Sequence, residues 1–253
     1  NEKKYLQKAI KEGFISSTGP LVEKFEKKFA KRVKRKFAIS VSNGTAALQL
    51  AFESLNIKKK AEVILPSFTI ISCILPVIRC GAVPILVDSD PISWNMDVNQ
   101  IEKKITSKTK AIIAPHIYGL PIDMDPLLKI AKKYNLRVIE DAAEVLGLKY
   151  KNKDCGSFGD VSTFSFYANK HITTGEGGMI VTDNKKIAEK CRSLRNICFN
   201  KERRFLHHDL GWNYRFTNLQ SAVGLAQLEK LNFFIRKKRK IGNFYNKELS
   251  EIN

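Results

Sequence analysis

The chain has 253 residues, 43% of them hydrophobic, with 44 Lys and Arg against 25 Asp and Glu, a formal charge of +19. That length suffices for one large domain or two small ones around a sizeable core, and no apolar run nears the roughly 20 residues that span a bilayer, so no membrane partner is expected. The basic residues are spread along segments such as "EKFEKKFAKRVKRK" and "FIRKKRK" without aromatic interleaving or a nucleic-acid motif. They read as a solvated surface, so no nucleic-acid partner is expected, and a basic binding or regulatory protein is the alternative to an enzyme.

In chain order, "NEKKYLQKAI" has the pattern of an amphipathic helix. "KFAISVS" (36–42) predicts a strand and "GTAALQLAFESLNI" (44–57) a helix opening at a glycine. "AEVILP" (61–66) is a second strand, followed by a helical stretch over 67–81, a third strand "VPILVDSD" (83–90) and a short helix over 97–105. "KAIIAPHIYG" (110–119) is a fourth strand, "MDPLLKIAKKYN" (124–135) a helix, and "LRVIEDAAE" (136–144) a strand. Strands apolar on both faces alternating with helices predict an α/β fold, a mainly parallel sheet sandwiched by helices. "VSTFSFY" (161–167) and "GGMIVTD" (177–183) lie too close together for a helix between them, which predicts an antiparallel or edge pairing. From Tyr214 to Asn253 one helical pattern runs on with no cap or stop, and a fragment of a longer protein is expected. Cys73, Cys80, Cys155, Cys191 and Cys198 form no CxxC pair or zinc-like cluster, which suits reduced thiols in a cytoplasmic protein.

Ligands of a parallel sheet gather beyond the carboxyl ends of its strands, and several suggestive residues fall there. "SNGTAAL" (42–48) joins a strand to a helix through small residues, so backbone amides can approach an anion; by itself it is also an ordinary turn. Asp141 ends a buried strand, where a carboxylate needs a cationic partner or a capping role. Ser165 ends another strand, and Lys170 follows it among Gly and Thr residues that can desolvate its amine and make it a nucleophile for carbonyls. An anion cradle, a buried acid and an activated lysine are together what pyridoxal 5'-phosphate requires. His116, His171, His207 and His208 have no metal-ligand spacing, so no metal is expected; each reads as a satisfied structural histidine, although His116 stands at a strand end where it could touch substrate.

In this order and spacing, "SNGTAAL", "EDAAE" and "SFYANKHITTGEGGM" resemble the DegT/DnrJ/EryC1/StrS family of sugar aminotransferases. So do "FISSTGPLVEKFE", "HIYGLPIDMDPL" and "GWNYRFTNLQSAVGLAQLEKL", and the resemblance covers essentially the whole chain. It implies the large domain of a fold type I (aspartate aminotransferase-like) transferase over residues 1–235, with 236–253 leading toward a small C-terminal domain outside the chain. It makes Lys170 the catalytic lysine that bonds to the cofactor aldehyde and Asp141 the partner of the pyridine nitrogen. Glu144 (glutamine in many relatives) lies beside the ring. Gly44 and Thr45 contact the phosphate with Ser165 as a further donor, and Asn213 reaches the neighbouring subunit's cofactor phosphate in a homodimer. The implied reaction moves an amino group, from glutamate, to a nucleotide-linked 4-keto-6-deoxy sugar for surface glycan synthesis. Relatives with histidine at the lysine position remove a sugar hydroxyl instead, so dehydration is the alternative reaction. One departure is Ile70, where many relatives place an aromatic over the ring; apolar cover survives without stacking, and Phe68 is the residue that could compensate.

Overall fold

The computed structural model describes residues 1–200 and 202–252. Seven strands form the central sheet: β1 (Phe37–Val41), β2 (Glu62–Pro66), β3 (Val83–Val87), β4 (Thr109–Pro115), β5 (Arg137–Asp141), β8 (Val161–Ser165) and β9 (Gly178–Thr182). Two short strands, β6 (Lys149–Tyr150) and β7 (Lys153–Asp154), make a separate hairpin. The sheet order is β1-β9-β8-β5-β4-β2-β3. Neighbours from β3 through β8 pair in parallel, while β9 runs antiparallel to both β8 and β1. Six strands therefore point one way, and the carboxyl ends of β1, β2, β4, β5 and β8 share one edge. The expected antiparallel pairing of the 161–167 and 177–183 segments is the β8–β9 contact.

Strand alternation fills both faces. Ile39, Val41, Val63, Leu65, Ile113, Ile139 and Ile180 face α3 (Gly44–Ser54) and α6 (Lys185–Arg195). On the opposite face, Ala38, Phe164, Met179 and Val181 pack with α2 (Pro20–Arg32) and α7 (Asn218–Glu229). Further along that face, Ile64, Ile112 and Val138 meet α5 (Met124–Lys133). The N-terminal segment is helical as its pattern predicts, forming α1 (Glu2–Lys11).

Three expectations are corrected. The 67–81 segment bends over 67–69, then makes a 3-10 turn (Ile71–Cys73) and one short helix, α4 (Leu75–Arg79). The 97–105 segment is two 3-10 turns, Val98–Gln100 and Glu102–Lys104, because the Asp97 side chain accepts from the Asn99 amide at 3.0 Å and tightens the start. The helical pattern read from Tyr214 has a start and a break. Thr217 and Gln220 form a reciprocal capping box that opens α7, and Lys230 separates it from α8 (Leu231–Glu248). Asn253 lies outside the described residues. Leu231 and Ile235 are the buried residues of α8, and from Arg236 every described residue is exposed.

Candidate active site

A cavity of about 820 Å³ opens at the shared edge, lined by Gly44, Thr45, Asp141, Glu144, Ser165 and Lys170. Six of the seven residues singled out from sequence thus meet in one place. The seventh, Asn213, is exposed and forms an antiparallel bridge with Asn196; the chain's own cavity takes its neighbour Tyr214 instead.

The anion cradle is built by helix geometry. Asn43 caps α3, its Oδ1 accepting from the Ala46 amide at 2.8 Å, and the first-turn amides of Gly44 and Thr45 have no partner within the helix. Thr45 Oγ1 lies 2.7 Å from Ser72 Oγ, so both hydroxyls are fixed at the rim. The cradle is tightly closed from behind. A Cβ on Gly44 would stand 2.9 Å from Ser165 Cβ, and one on Gly178 would stand 2.5 Å from the Asn43 carbonyl oxygen. Glycine at both positions lets β1, β8 and β9 crowd beneath the helix N-terminus, where the helix dipole favours negative charge. These residues fit a phosphate.

Asp141 ends β5 with its side chain almost fully buried. Its Oδ1 accepts from the Ala143 amide at 3.1 Å and the Thr163 hydroxyl at 3.4 Å, and its Oδ2 from the Cys73 thiol at 3.4 Å. Burial raises its pKa above the ordinary carboxylate value, and the Ala143 amide is the largest of the influences that oppose this. Such a carboxylate fits a cationic ring nitrogen, which would supply the charge it lacks.

Lys170 sits in the loop joining β8 to β9. That loop is drawn tight by the Phe166 amide donating to Gly177 O at 2.8 Å and the Thr174 amide to Phe166 O at 3.0 Å. The Lys170 side chain is 17% exposed, and its Nζ donates to Glu144 Oε1 at 3.1 Å. Glu144 Oε2 accepts from the Tyr118 amide at 2.7 Å, so one carboxylate ties the lysine to the loop after β4. Ile70, 61% exposed, lines the cavity at the position where many relatives carry an aromatic. Phe68 also lines it, in edge contact with Trp94 and Tyr118 at 5.5 and 6.3 Å between ring centroids.

His116 stands in the wall of the cavity, as its place at a strand end suggests, and its side chain is a satisfied structural histidine. Its Nδ1 accepts from the Ile122 amide at 3.0 Å and its Nε2 lies 3.1 Å from Glu140 Oε1, so both ring nitrogens are committed and the side chain has no exposure. Among the described residues no group of three or more His, Cys, Asp or Glu side chains is placed to hold a metal ion, and no helix is long and apolar enough to cross a membrane. Sequence reading missed Cys73, Ser72 and Glu140. The first two carried a signal only in their place just beyond β2, at the ligand edge; Glu140 stood in plain view beside Asp141.

A family model described as the DegT/DnrJ/EryC1/StrS aminotransferase family matches residues 1–253. GDP-perosamine synthase of Escherichia coli O157:H7 is 47% identical over 251 residues, which cover 99% of this chain and 69% of that protein. GDP-perosamine synthase of Caulobacter vibrioides is 45% identical over 252 residues, covering 100% and 68%. Among solved structures, E. coli GDP-4-keto-6-deoxy-D-mannose-3-dehydratase with bound hydrated PLP superposes with a TM-score of 0.93 at 28% identity, covering 99% of this chain and 70% of that one.

Proposed function

Because this chain belongs to the DegT/DnrJ/EryC1/StrS aminotransferase family, we propose that its cavity binds pyridoxal phosphate and moves an amino group from an amino acid, glutamate, to a nucleotide-linked 4-keto-6-deoxy sugar. The observation that carries the reading is the convergence of Lys170, Asp141 and the Gly44–Thr45 helix start on one cavity. Bound pyridoxal phosphate supplies an aldehyde that carries nitrogen and a protonated ring that absorbs the electron pair released at the donor's α-carbon.

The chain's own residues do the rest. The Gly44 and Thr45 amides, with the Thr45 and Ser165 hydroxyls, would hold the phosphate. Asp141, buried at the end of β5, would hold the proton on the ring nitrogen. Lys170 Nζ would hold the aldehyde, and as a free amine it would serve as the base and acid that moves a proton at the reacting carbon. Glu144 holds Nζ within reach of that path, and Ile70 covers the cavity mouth from water.

A lysine at position 170, where histidine would suit hydroxyl removal, favours amino transfer over the dehydration alternative. The relatives' names point to a GDP-linked sugar. The reading extends to a homodimer in which Asn213 of each subunit completes the phosphate site of the other; its support is that Asn213 is exposed and outside its own cavity. The test incubates protein, pyridoxal phosphate, glutamate and a GDP-linked 4-keto-6-deoxy sugar, and follows the sugar by mass spectrometry. An amino-sugar product is expected. A deoxygenated product, or none from any nucleotide-linked keto-sugar while the cofactor is bound, refutes the reading.

A further inference from the structure

Beneath Asp141 lies a thiol that the reaction above does not use. Cys73 closes the 3-10 turn after β2 and is fully buried. Its Sγ–H donates to Asp141 Oδ2 at 3.4 Å, and Thr69, four residues earlier, donates its hydroxyl to the same sulfur at 3.4 Å. Hydroxyl, thiol and carboxylate form a short chain of donors pointing one way. The other carboxylate oxygen is occupied separately by Ala143 and Thr163.

The thiol is suited to donating and unsuited to attack. Burial first, and then the Asp141 charge, push its pKa well above the ordinary cysteine value, so the sulfur keeps its proton. A donor that keeps its proton favours the ionised form of its acceptor, and here it acts against the burial that favours the neutral acid. An alanine would fill much of the same space in the α3-facing core to which Cys73 belongs, but would offer Asp141 nothing.

We propose that Cys73 is a positioning residue: the Thr69–Cys73 donor chain fixes the Asp141 carboxylate in its charged, ring-facing orientation and so strengthens its hold on a protonated ring nitrogen. The inference rests on the reading of Asp141 as the ring-nitrogen partner. It separates two roles that a core cysteine could have, since packing acts on any ligand of the cavity and a donor chain only on one whose ring carries a nitrogen.

The test measures equilibrium affinity of cofactor-free protein for pyridoxal phosphate and for its 1-deaza analogue, in which a ring C–H replaces the nitrogen. Cys73→Ala should weaken pyridoxal phosphate about three- to tenfold, the range of one net hydrogen bond, and leave the deaza analogue within about twofold. Cys73→Ser should restore most of the loss. Thr69→Val, which breaks the chain one step away without touching the core cysteine, should give a smaller loss with the same selectivity, and serves if Cys73→Ala does not fold. Equal weakening of both ligands, or no weakening of either, overturns the donor-chain role while leaving Asp141 in place. A wild-type protein that binds the two ligands equally overturns the Asp141 reading and this inference with it.

Discussion

Lys170 Nζ and Glu144 Oε1 are 3.1 Å apart, and the second oxygen of the same carboxylate holds the Tyr118 amide at 2.7 Å. The two bonds join the β8–β9 loop to the loop after β4 across the cavity mouth, so Glu144 sets where the amine stands before any ligand arrives. Glu144→Ala removes both bonds. We expect cofactor retention to fall about tenfold, roughly one net hydrogen bond to a charged group, and Glu144→Gln, which keeps one acceptor oxygen, to lose less. Dialysis of loaded protein with absorbance readout measures the order wild type, Gln, Ala. Retention unchanged in the alanine variant would make the pair a surface contact without consequence.

Glu140, next to Asp141 in sequence, points to the opposite face of β5 and is fully buried. It accepts from the Gly156, Phe158 and Gly159 amides at 2.5, 2.8 and 3.2 Å, from the Ser162 hydroxyl at 2.8 Å and from His116 Nε2 at 3.1 Å. Burial alone would raise its pKa, but His116 and the amides outweigh burial and hold it at about 2, below the ordinary 4.5. The folded value lies below the unfolded one. The stabilisation is therefore complete above pH 4.5 and lost as pH falls through about 2. At neutral pH it amounts to about 3 kcal/mol by that difference. Denaturant midpoints measured from pH 7 to 2.5 should decline steeply below pH 5 in the wild type. Glu140→Gln should lower the midpoint at pH 7 by about 3–5 kcal/mol equivalent and flatten that acid decline. An unchanged acid slope would show that other carboxylates carry it.

The legible part of the site was the part fixed by strand ends. Asp141 and Ser165 stand where a buried apolar run stops, and period alone locates such points; Lys170 follows in the loop just beyond. Cys73 reaches Asp141 because the chain bends over 67–69 and then makes a 3-10 turn at Ile71–Cys73, whereas its apolar residues at 70, 71, 74, 75, 77 and 78 read as a helix face. The 97–105 segment misled in the same way: Val98, Ile101 and Ile105 keep helical spacing, but a side-chain cap at Asp97 and packing onto α5's cluster settle it as turns. Thr217 and Gln220 did spell a capping box, and the long periodic run around them hid it. Resemblance puts Glu144 beside the ring, but its bond to Lys170 depends on the turn after β5.

Gly178 lies between Val41 and Ser165 in the sheet, directly behind the cradle. A Cβ there would stand 2.5 Å from Asn43 O and 3.0 Å from the Gly44 amide nitrogen, both backbone atoms that cannot rotate away. Gly178→Ala must therefore push the start of α3 outward. We expect a stability loss of about 1–3 kcal/mol from overpacking, and weaker binding of pyridoxal phosphate by about tenfold. Pyridoxal, which lacks the phosphate, should be affected far less. Melting curves and paired affinity measurements check both parts. An equal loss for the two ligands would place the damage elsewhere than the cradle.

Asn213 tests the assembly. Its segment is anchored to its own subunit: the Ser42 amide donates to Tyr214 O at 3.0 Å, and Trp212 stacks on Tyr214 with ring centroids 5.2 Å apart. Asn213 itself is exposed and absent from the lining of the cavity beside it. An amide side chain held on a rigid, exposed stretch next to one phosphate cradle suits donation to the cradle of a two-fold partner, because an isologous interface brings the same edge of both subunits together. Asn213→Ala should then weaken cofactor retention without lowering the melting temperature of the cofactor-free protein. Lys170→Ala should abolish amino transfer. Each variant is impaired alone, but in a mixed dimer one of the two sites has Lys170 from one subunit and Asn213 from the other. Mixing the two variants under conditions of subunit exchange should raise activity toward one intact site per mixed dimer. If Asn213 serves its own subunit, every mixed site keeps a defect, no activity returns on mixing, and the crossing arrangement is wrong.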